Sequence, residues 1–428
     1  MFRSRVVRRH DRRAPERAGT VGDDITDRFR RYVPRPGHPD WRALHAEARA
    51  LAATIRPTLE PPPPRWRDAR RRARSWSLVV RNHLANLRRA RAGREDLWPL
   101  YLIWTTQRAC NFRCRYCDDH RGLRYPDLSN AGVLDTARAI RMLAIMRTRT
   151  PSALLAGGEP TLRRDLPAIT RAARNLDYYP IIVDTNGSML HLLLRQPAWR
   201  GWLADVDHLV VSLDALDPTV LDDMWQTDRA VDVLRNLLLL HELCDDMRVQ
   251  LMVSTVVQPG AAHHARDVLD WCNDLGICFC PMPVNVGPTI EPALLTDAAY
   301  HTFVALVLER KREGCRVAGS LRMNERMLTA QPLDCRNTLK PHIDYDGRLF
   351  WPCKPVVNVE PVAIDVLDFP SVEAIYRYGR ERIDPADFRA GCGAHCNWSQ
   401  HYTTDAYAYG LAHPWSIVRE IVDFLKAV

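Results

Sequence analysis

From residue 100 to about 315 the chain alternates short aliphatic or β-branched runs with longer helical patterns, which leaves few folds open to it. Strands are expected at Tyr101–Thr105, Ala153–Ala156, Pro180–Asp184, His208–Leu213, Gln250–Val257 and Cys278–Val284. Helical patterns fall between and after them, at about Val133–Arg147, Arg164–Leu176, Leu190–Leu203, Pro218–Cys244, Ala262–Leu275 and Thr296–Gly314. Strands that each lead into a crossover helix make a parallel sheet of the α/β class. In such sheets ligands gather at the carboxyl ends of the strands. The loops after the first four strands carry, in order, three cysteines, Gly157-Gly-Glu-Pro160, Thr185-Asn-Gly187 and Ser212-Leu-Asp214. Parallel strands put all four motifs on one rim.

The cysteines are Cys110, Cys114 and Cys117, spaced x3 and then x2. Three thiolates at that spacing suit three corners of an iron–sulfur cube and supply no fourth ligand. A cluster normally takes four, so one iron stays open to a small molecule, and an open iron is a reaction site. A structural zinc completed by a distant Cys or His is the alternative, although such sites prefer two pairs of closely spaced ligands. The other motifs also have plain readings. Thr185-Asn-Gly187 is a turn, and Asp214 or Asp217 is placed to cap the helix that Pro218 opens.

The cysteine triplet with Tyr116 before its third member, followed by GGEP, TNG and VSLDA, resembles the radical S-adenosylmethionine superfamily. The resemblance covers about residues 98–290, with a second part at 330–400. It implies a partial (β/α)6 TIM-like barrel and a 4Fe–4S cluster on Cys110, Cys114 and Cys117. S-adenosylmethionine would bind the open iron and be cleaved reductively to a 5′-deoxyadenosyl radical, which takes a hydrogen from the substrate. An external one-electron donor of the flavodoxin or ferredoxin type goes with that chemistry. Gly157 and Gly158 would let backbone approach the methionine part of the cofactor. Glu159 would offer a carboxylate to its ammonium, and Pro160 would stiffen the turn. Asn186, Ser212 and Asp214 would serve the ribose hydroxyls or the carboxylate, and Tyr116 and Val256 the adenine. Asp118, Asp119 and His120, just past the triplet, are candidates to reach the substrate. Ala156 stands where the family often has Thr or Ser.

Cys335, Cys353, Cys392 and Cys396 lie beyond the barrel. Ile343-Asp-Tyr-Asp-Gly-Arg-Leu-Phe350 reads as a hairpin with Asp-Gly at its turn, which would bring Cys335 near Cys353. Gly391-Cys-Gly-Ala-His-Cys396 supplies the second pair. The arrangement resembles the Twitch extension, the shortened relative of the SPASM domain, which carries one auxiliary 4Fe–4S cluster on four cysteines. The gap from Gly347 to Cys353 is one residue longer than usual in that extension, and its last pair is x3 rather than x2. Cys315 or His395 therefore stays open as a replacement ligand, and zinc as the metal. Four thiolates leave no iron open, which favours electron transfer over substrate positioning. Cys244, Cys272, Cys278 and Cys280 fall in helices and strands and read as core. Phe279, Met282 and Val284 suggest a partly apolar cavity.

Three regions follow: an N-terminal appendage (1–97), the barrel (98–315) and a small α+β cluster-binding extension with a C-terminal helix (316–428). The formal net charge of +9 hides an asymmetry, because residues 1–100 hold 25 Arg, no Lys and 11 Asp or Glu and so carry +14, leaving −5 for the rest. Residues 1–40 are Arg-rich and Pro-punctuated, and loose coil is expected there. Trp41–Ala53 suits a short helix and Pro61–Pro64 a stiff linker. Arg65–Arg94 reads as a basic amphipathic helix with Trp76, Val79, Val80, Leu84 and Leu87 on one side. That side either packs on the body or meets an anionic surface, and Trp66 and Trp76 favour membrane over nucleic acid. No apolar run approaches the roughly 20 residues that span a bilayer. No secretory segment opens the chain, and its twelve cysteines suit a reducing compartment. The expectation is a cytoplasmic protein, peripheral at the inner face of the membrane if the helix binds lipid. The substrate stays open among a lipid, a small metabolite and a peptide. A different class, a metal-stabilised nucleic-acid-binding or redox-sensing protein, would show salt-sensitive binding without cofactor cleavage.

Overall fold

Six parallel strands form in chain order in the computed structural model, which describes residues 34–118, 131–354, 360–392, 396–413 and 415–416. The expectations for residues 1–33, Asp119, His120, His395 and the end of the C-terminal helix lie outside the described residues. The strands are β1 (Tyr101–Thr105), β2 (Ser152–Ala156), β3 (Ile181–Thr185), β4 (His208–Ser212), β5 (Gln250–Val257) and β6 (Cys278–Pro283). Each pairs in parallel with the next. Side chains alternate across a strand. One set, including Leu155, Val183, Leu209, Val211, Val253 and Phe279, is buried against the surrounding helices. The other set keeps partial exposure along β2 to β6, at Leu154, Ile182, Asp184, Val210, Ser212, Ser254, Val256, Cys280 and Met282. Those residues line the inside of the curved sheet, the lumen. The arrangement is the expected α/β barrel-like fold.

Two helical expectations need correction. Pro218–Cys244 is not one helix: it stops at Trp225, turns through Gln226 in the left-handed region (φ 49°) and restarts at Ala230. Asp222 Oδ1 accepts from the Ala230 backbone N–H at 2.9 Å and fixes the restart. Leu190–Leu203 breaks into short turns around Pro197 and Gly201, since proline has no N–H for a continuing helix.

A two-stranded ribbon, β7 (Asn285–Val286) with β8 (Thr289–Ile290), follows β6. The C-terminal region then adds to the barrel sheet from the other side. β9 (His342–Ile343) pairs in parallel with β1, and β10 (Arg348–Trp351) and β11 (Val362–Asp365) continue antiparallel. The Asp-Gly turn forms as expected, with Gly347 at φ +88°, where only glycine is comfortable. The stretch from Asn397 to Thr403 bridges the gap between β6 and β1. Its Asn397 N–H donates to Pro288 O (3.1 Å), Ser399 Oγ donates to Asn285 Oδ1 (2.7 Å), and Thr403 Oγ1 lies 3.0 Å from Tyr101 Oη.

Before the sheet, α1 (Trp41–Ile55) is capped by Asp40 and buries Trp41, Leu44, Ala48, Ala52 and Ile55. Its His45 reaches Glu242 on the helix Ala230–Met247 at 3.1 Å. Next, α2 (Arg65–Arg91) crosses the amino ends of the strands, opposite the motif-bearing rim. Among the described residues no helix is long and apolar enough to cross a membrane.

Candidate active site and a second cysteine site

The loop carrying Cys110, Cys114 and Cys117 is clamped from two sides. On one side Gly158 N–H donates to Gln107 O and Glu159 N–H to Ala109 O, both at 2.8 Å. On the other, Arg113 N–H and Arg115 N–H donate to Trp225 O and Met224 O, both at 3.0 Å, and Phe112 stacks on Trp225. The two glycines serve this clamp. A Cβ on Gly158 would lie 2.3 Å from Ala109 O, and one on Gly157 would lie 2.6 Å from Gln107 O. The close approach that excludes a side chain is thus to the protein's own backbone.

Glu159 is held by donors from its own turn and from β3. It is 1% exposed. Oε1 accepts from Thr161 N (2.9 Å), Thr161 Oγ1 (2.5 Å) and Thr185 Oγ1 (2.6 Å), and Oε2 from Asn186 N (2.7 Å). Burial pushes its pKa up, and these donors oppose the shift. The carboxylate ties the end of β2 to the end of β3, three of its four donors falling on Oε1 and one on Oε2. Pro160 is buried and opens the 3-10 turn that Glu159 caps. Asn186 is carried to the cluster loop: its Nδ2 donates to Asn111 Oδ1 (2.9 Å) and lies 3.9 Å from Cys110 Sγ, which also accepts from Phe112 N (3.3 Å).

Asp214 is likewise enclosed. Its Oδ1 accepts from Val256 N (2.7 Å), and its Oδ2 from Trp225 Nε1 (2.7 Å) and from the Tyr116 hydroxyl. Burial raises its pKa against the pull of these donors. Its side chain joins β4, β5, the following helix and the cysteine loop at one node, and Tyr116 is anchored by its hydroxyl. Ser212 and Val256 face the lumen, half-buried. Asp118 is half-buried, and its N–H donates to Tyr116 O at 3.1 Å.

Asp184 was missed by sequence reasoning, which placed it as the last residue of an ordinary strand. It stands in register beside Val210, which pairs with Met252, which pairs with Cys278. Val210, Met252, Cys278, Cys280 and Ala318 form a small apolar group of their own inside the sheet. Against it, Asp184 is an acid without a hydrogen-bond or ion-pair partner among the described residues. It keeps some accessible surface because the lumen is open, yet it lies deep in the protein. Burial, and then the charge of Glu159, pushes its pKa up to about 7. A carboxylate flanked by aliphatic runs was the available signal, since an unpaired buried acid is costly. Cys278 and Cys280 belong to this lumen group, while Cys244 and Cys272 are buried with the helices. Of the residues expected to line a cavity, Met282 does. Phe279 faces the helix Ala298–Arg312, where it meets Phe303 edge-on, because odd and even positions of β6 point to opposite faces.

The C-terminal cysteines come together. Cys353 feels the charge of Cys335, Cys392 and Cys396, and Cys335 that of Cys392 and Cys396. Burial and these neighbours push Cys335 up to about 12 and Cys392 to about 11. Cys353 Sγ lies 3.7 Å from His401 Nε2, and Cys335 Sγ 3.7 Å from Thr404 Oγ1. Cys315 instead belongs to the segment beside β6. Beside Cys335, Cys353 and Cys396 sits Lys340, 4% exposed, whose Nζ donates to Gln400 O (2.8 Å) and lies 5.3 Å from the Trp398 ring centroid. Burial lowers its pKa to about 8 against the pull of Cys335, Cys353 and Cys396.

Both sets fit iron–sulfur clusters by their donor chemistry. Buried thiols that raise one another's pKa become thiolates only when a cation joins them, and Cys114 is raised first by burial and then by Cys117, Asp214 and Cys110. Among the described residues no three Cys, His, Asp or Glu side chains converge on one metal ion; a cube takes one thiolate per iron and has no need of such a point.

The family model described as Radical SAM superfamily matches residues 104–272. A protein of Streptomyces coelicolor named GTP 3′,8-cyclase is 32% identical over 166 residues, 38% of this chain and 46% of its own length. One from Pasteurella multocida with the same name is 32% identical over 261 residues, 52% of this chain and 74% of its own. The chain spans about a third to a half of the length of the first curated relatives it matches. Among solved structures, Streptococcus suis SuiB bound to S-adenosylmethionine is similar over 70% of this chain and 69% of its own, with TM-score 0.50 and 16% identity. A structure of anSMEcpe with bound AdoMet is similar over 75% and 98%, also with TM-score 0.50 and 16% identity, and these two likenesses speak for the fold. With the clamped cysteine triplet and the match to most of the Pasteurella relative, the chain belongs to the radical SAM superfamily and is a radical SAM enzyme.

Proposed function

We propose that this enzyme starts its reaction at the barrel rim and uses a second 4Fe–4S cluster, held by Cys335, Cys353, Cys392 and Cys396, as an electron carrier in a biosynthetic modification. When bound, the first cluster with S-adenosylmethionine supplies a 5′-deoxyadenosyl radical that takes a hydrogen atom from a substrate carbon. Cys110, Cys114 and Cys117 would hold three of its irons. Phe112 N–H and Asn186 Nδ2 are the donors nearest the Cys110 sulfur. Asp184, a carboxylate without a hydrogen-bond or ion-pair partner among the described residues, would meet the cofactor's ammonium beside Glu159, and Ser212 and Val256 stand one and two turns of the pleat nearer the rim. Ile182, Val210 and Met282 keep the inner wall apolar and dry. What supports the reading is that Cys335, Cys353 and Cys396 gather about one buried lysine and that Cys392 acts on the first two; four thiolates would leave no iron open.

Radical SAM enzymes draw on an external one-electron donor, here a flavodoxin or ferredoxin type in a reducing compartment, the cytoplasm. The N-terminal arm is read as a peripheral contact with an anionic membrane. GTP, in the name of several relatives, is not favoured as substrate, because the lumen-facing strand residues include Asp184 and no Lys or Arg to meet a triphosphate. Anaerobic reconstitution with iron and sulfide, followed by dithionite and S-adenosylmethionine, should yield 5′-deoxyadenosine and roughly eight irons per chain. No 5′-deoxyadenosine overturns the radical reading; roughly four irons overturn the second cluster. Added GTP should leave 5′-deoxyadenosine formation unchanged.

A further inference from the structure

The 27-residue helix α2 is docked the wrong way round for an ordinary amphipathic helix. Its buried residues are Arg71, Ser75, Leu78, Asn82 and Asn86, four of them polar. They bond to backbone at the amino ends of the strands. Arg71 donates to Tyr178 O (2.7 Å) and pairs with Asp207; Ser75 donates to Pro151 O and Tyr179 O (both 2.9 Å). Asn82 donates to Pro99 O (3.0 Å) and Arg149 O (2.6 Å), while Asn86 both donates to Trp98 O (3.0 Å) and accepts from Trp98 N–H (2.6 Å). The side chains a helix normally hides therefore point outward: Trp66 is 61% exposed, Trp76 45%, Val80 54% and Leu84 50%.

At 100° per residue, Trp76, Val80 and Leu84 fall at i, i+4 and i+8 with Ala73 and Trp66 in the same stripe. Arginines border it. The helix holds ten Arg against one Asp, and that Asp68 is already paired with Arg174. Arg65, Arg70, Arg81, Arg88 and Arg91 have no acidic partner among the described residues. An apolar stripe of this length is too small and too charged at its edges to be a core, and a phosphate backbone would gain nothing from its tryptophans and aliphatics. Apolar side chains flanked by guanidinium groups match the acyl boundary and headgroups of an anionic bilayer.

We infer that α2 lies flat on an anionic lipid surface, with Trp66, Trp76, Val80 and Leu84 in the headgroup–acyl boundary and the flanking arginines on lipid phosphates. The helix crosses the amino ends of the strands, so the rim bearing the cysteine triplet faces away from the bilayer. The substrate then arrives from the aqueous side, and membrane attachment does not imply a membrane-embedded lipid substrate. This goes with the peripheral reading of the N-terminal arm and is independent of the radical chemistry.

The test is co-sedimentation of the full chain with vesicles of phosphatidylcholine alone and with 30% phosphatidylglycerol. The chain should bind the anionic vesicles, weaken as salt rises, and bind phosphatidylcholine poorly. The variant Trp76→Ser/Val80→Ser/Leu84→Ser, whose three side chains are exposed, should bind anionic vesicles at least about tenfold more weakly, with its circular dichroism and reconstituted iron content unchanged. Absent vesicle binding, or binding that the triple variant retains in full, overturns the inference. Binding to a 30-base-pair DNA duplex that exceeds vesicle binding and ignores the triple variant also overturns it, and assigns the arginines to nucleic acid. A variant that loses iron as well would be replaced by Trp76→Phe/Leu84→Ala, expected to bind severalfold more weakly; unchanged binding there counts against the inference equally.

Discussion

The two cysteine sites are furnished with opposite charges. Around the barrel triplet the buried ionisable groups are acids, Glu159, Asp214 and Asp184, and the first two are enclosed by hydrogen bonds to the protein. Around the C-terminal four, the buried ionisable groups include Lys340 and His401, and the buried acid close by, Asp405, is paired with Arg326. The neighbourhood of a cluster sets its potential through net charge and hydrogen bonds to sulfur. An acid-lined site disfavours extra negative charge, and a site with a buried ammonium favours it. With a cluster on each site, the contrast would give electrons a direction, uphill to load the first and downhill into the second.

The largest effect separates the sites outright. Replacing Cys110, Cys114 and Cys117 with Ala should abolish 5′-deoxyadenosine formation and leave about four irons per chain, those of the second site. Replacing the C-terminal four should also leave about four irons but preserve cofactor cleavage, because the barrel rim keeps its ligands. Iron analysis alone cannot tell these variants apart; product analysis of the same preparations does. Loss of cleavage in both would mean that the second site holds the barrel together and the comparison fails.

A second difference is mechanical. The two halves of the C-terminal site are held by one carboxylate from the segment that leads into β1: Glu95 Oε1 and Oε2 accept from Arg389 (2.6 and 2.8 Å), and Oε1 pairs with Arg336 at 2.6 Å. Arg336 follows Cys335 and Arg389 precedes Cys392 by three residues. Burial works to raise the Glu95 pKa, but the two guanidinium groups outweigh it and the net shift is downward. A depressed folded pKa means stability that is complete above the ordinary Glu value and fades as pH falls through the folded one. Glu95→Gln should therefore cost about 2 kcal/mol at pH 7, moderated by the exposure of Arg389. The gap from the parent chain should close below about pH 4. Thermal melts of the metal-free chains across that range measure it; a gap that stays constant with pH removes the charge clamp.

Much of this was legible in the residues. The six strands and their rim motifs follow from hydrophobic alternation and turn chemistry, and Asp346-Gly347 announced the hairpin that carries β9 to β10. What was not legible depends on long-range contacts. Gln226 carries no breaker signal, so the helix from Pro218 read as continuous; its stop is set by Asp222 capping the next helix. The commitments of Glu159 and Asp214 need Thr185, Asn186, Tyr116, Trp225 and Val256, which lie 11 to 98 residues away. The stripe Trp76-Val80-Leu84 was visible as a stripe, but periodicity says only that a face is apolar, not which face the body takes. The body took the polar one because strand-end carbonyls needed donors.

Asp184 sharpens the contrast on the barrel side. If it is the free acid that meets a cationic group, Asp184→Asn should weaken S-adenosylmethionine binding about tenfold, the loss of one charge-assisted bond. Equilibrium dialysis with labelled cofactor on the reconstituted enzyme reads this directly, and iron content in the same sample shows that the cluster loop is intact. Unchanged affinity would turn Asp184 toward the substrate.

Lys340 gives the smallest and most specific effect. It stands beside Cys335, Cys353 and Cys396 with a carbonyl and a tryptophan face for company. A buried ammonium without a carboxylate is expensive, and an anionic cluster on the proposed second site would offset that cost. Removing the charge in Lys340→Met makes the reduced, more negative form harder to reach. The midpoint potential of the second cluster should fall by about 30 mV, roughly a threefold change for one electron, while Lys340→Arg should restore it. The measurement belongs in the background of the triple Cys110, Cys114 and Cys117 replacement, where an EPR-monitored titration sees that cluster alone. No cluster signal in that background refutes the second cluster itself. A signal with the same potential in Lys340→Met keeps the cluster and refutes the charge asymmetry, leaving the direction of electron flow to be set by hydrogen bonds such as the one between His401 and Cys353.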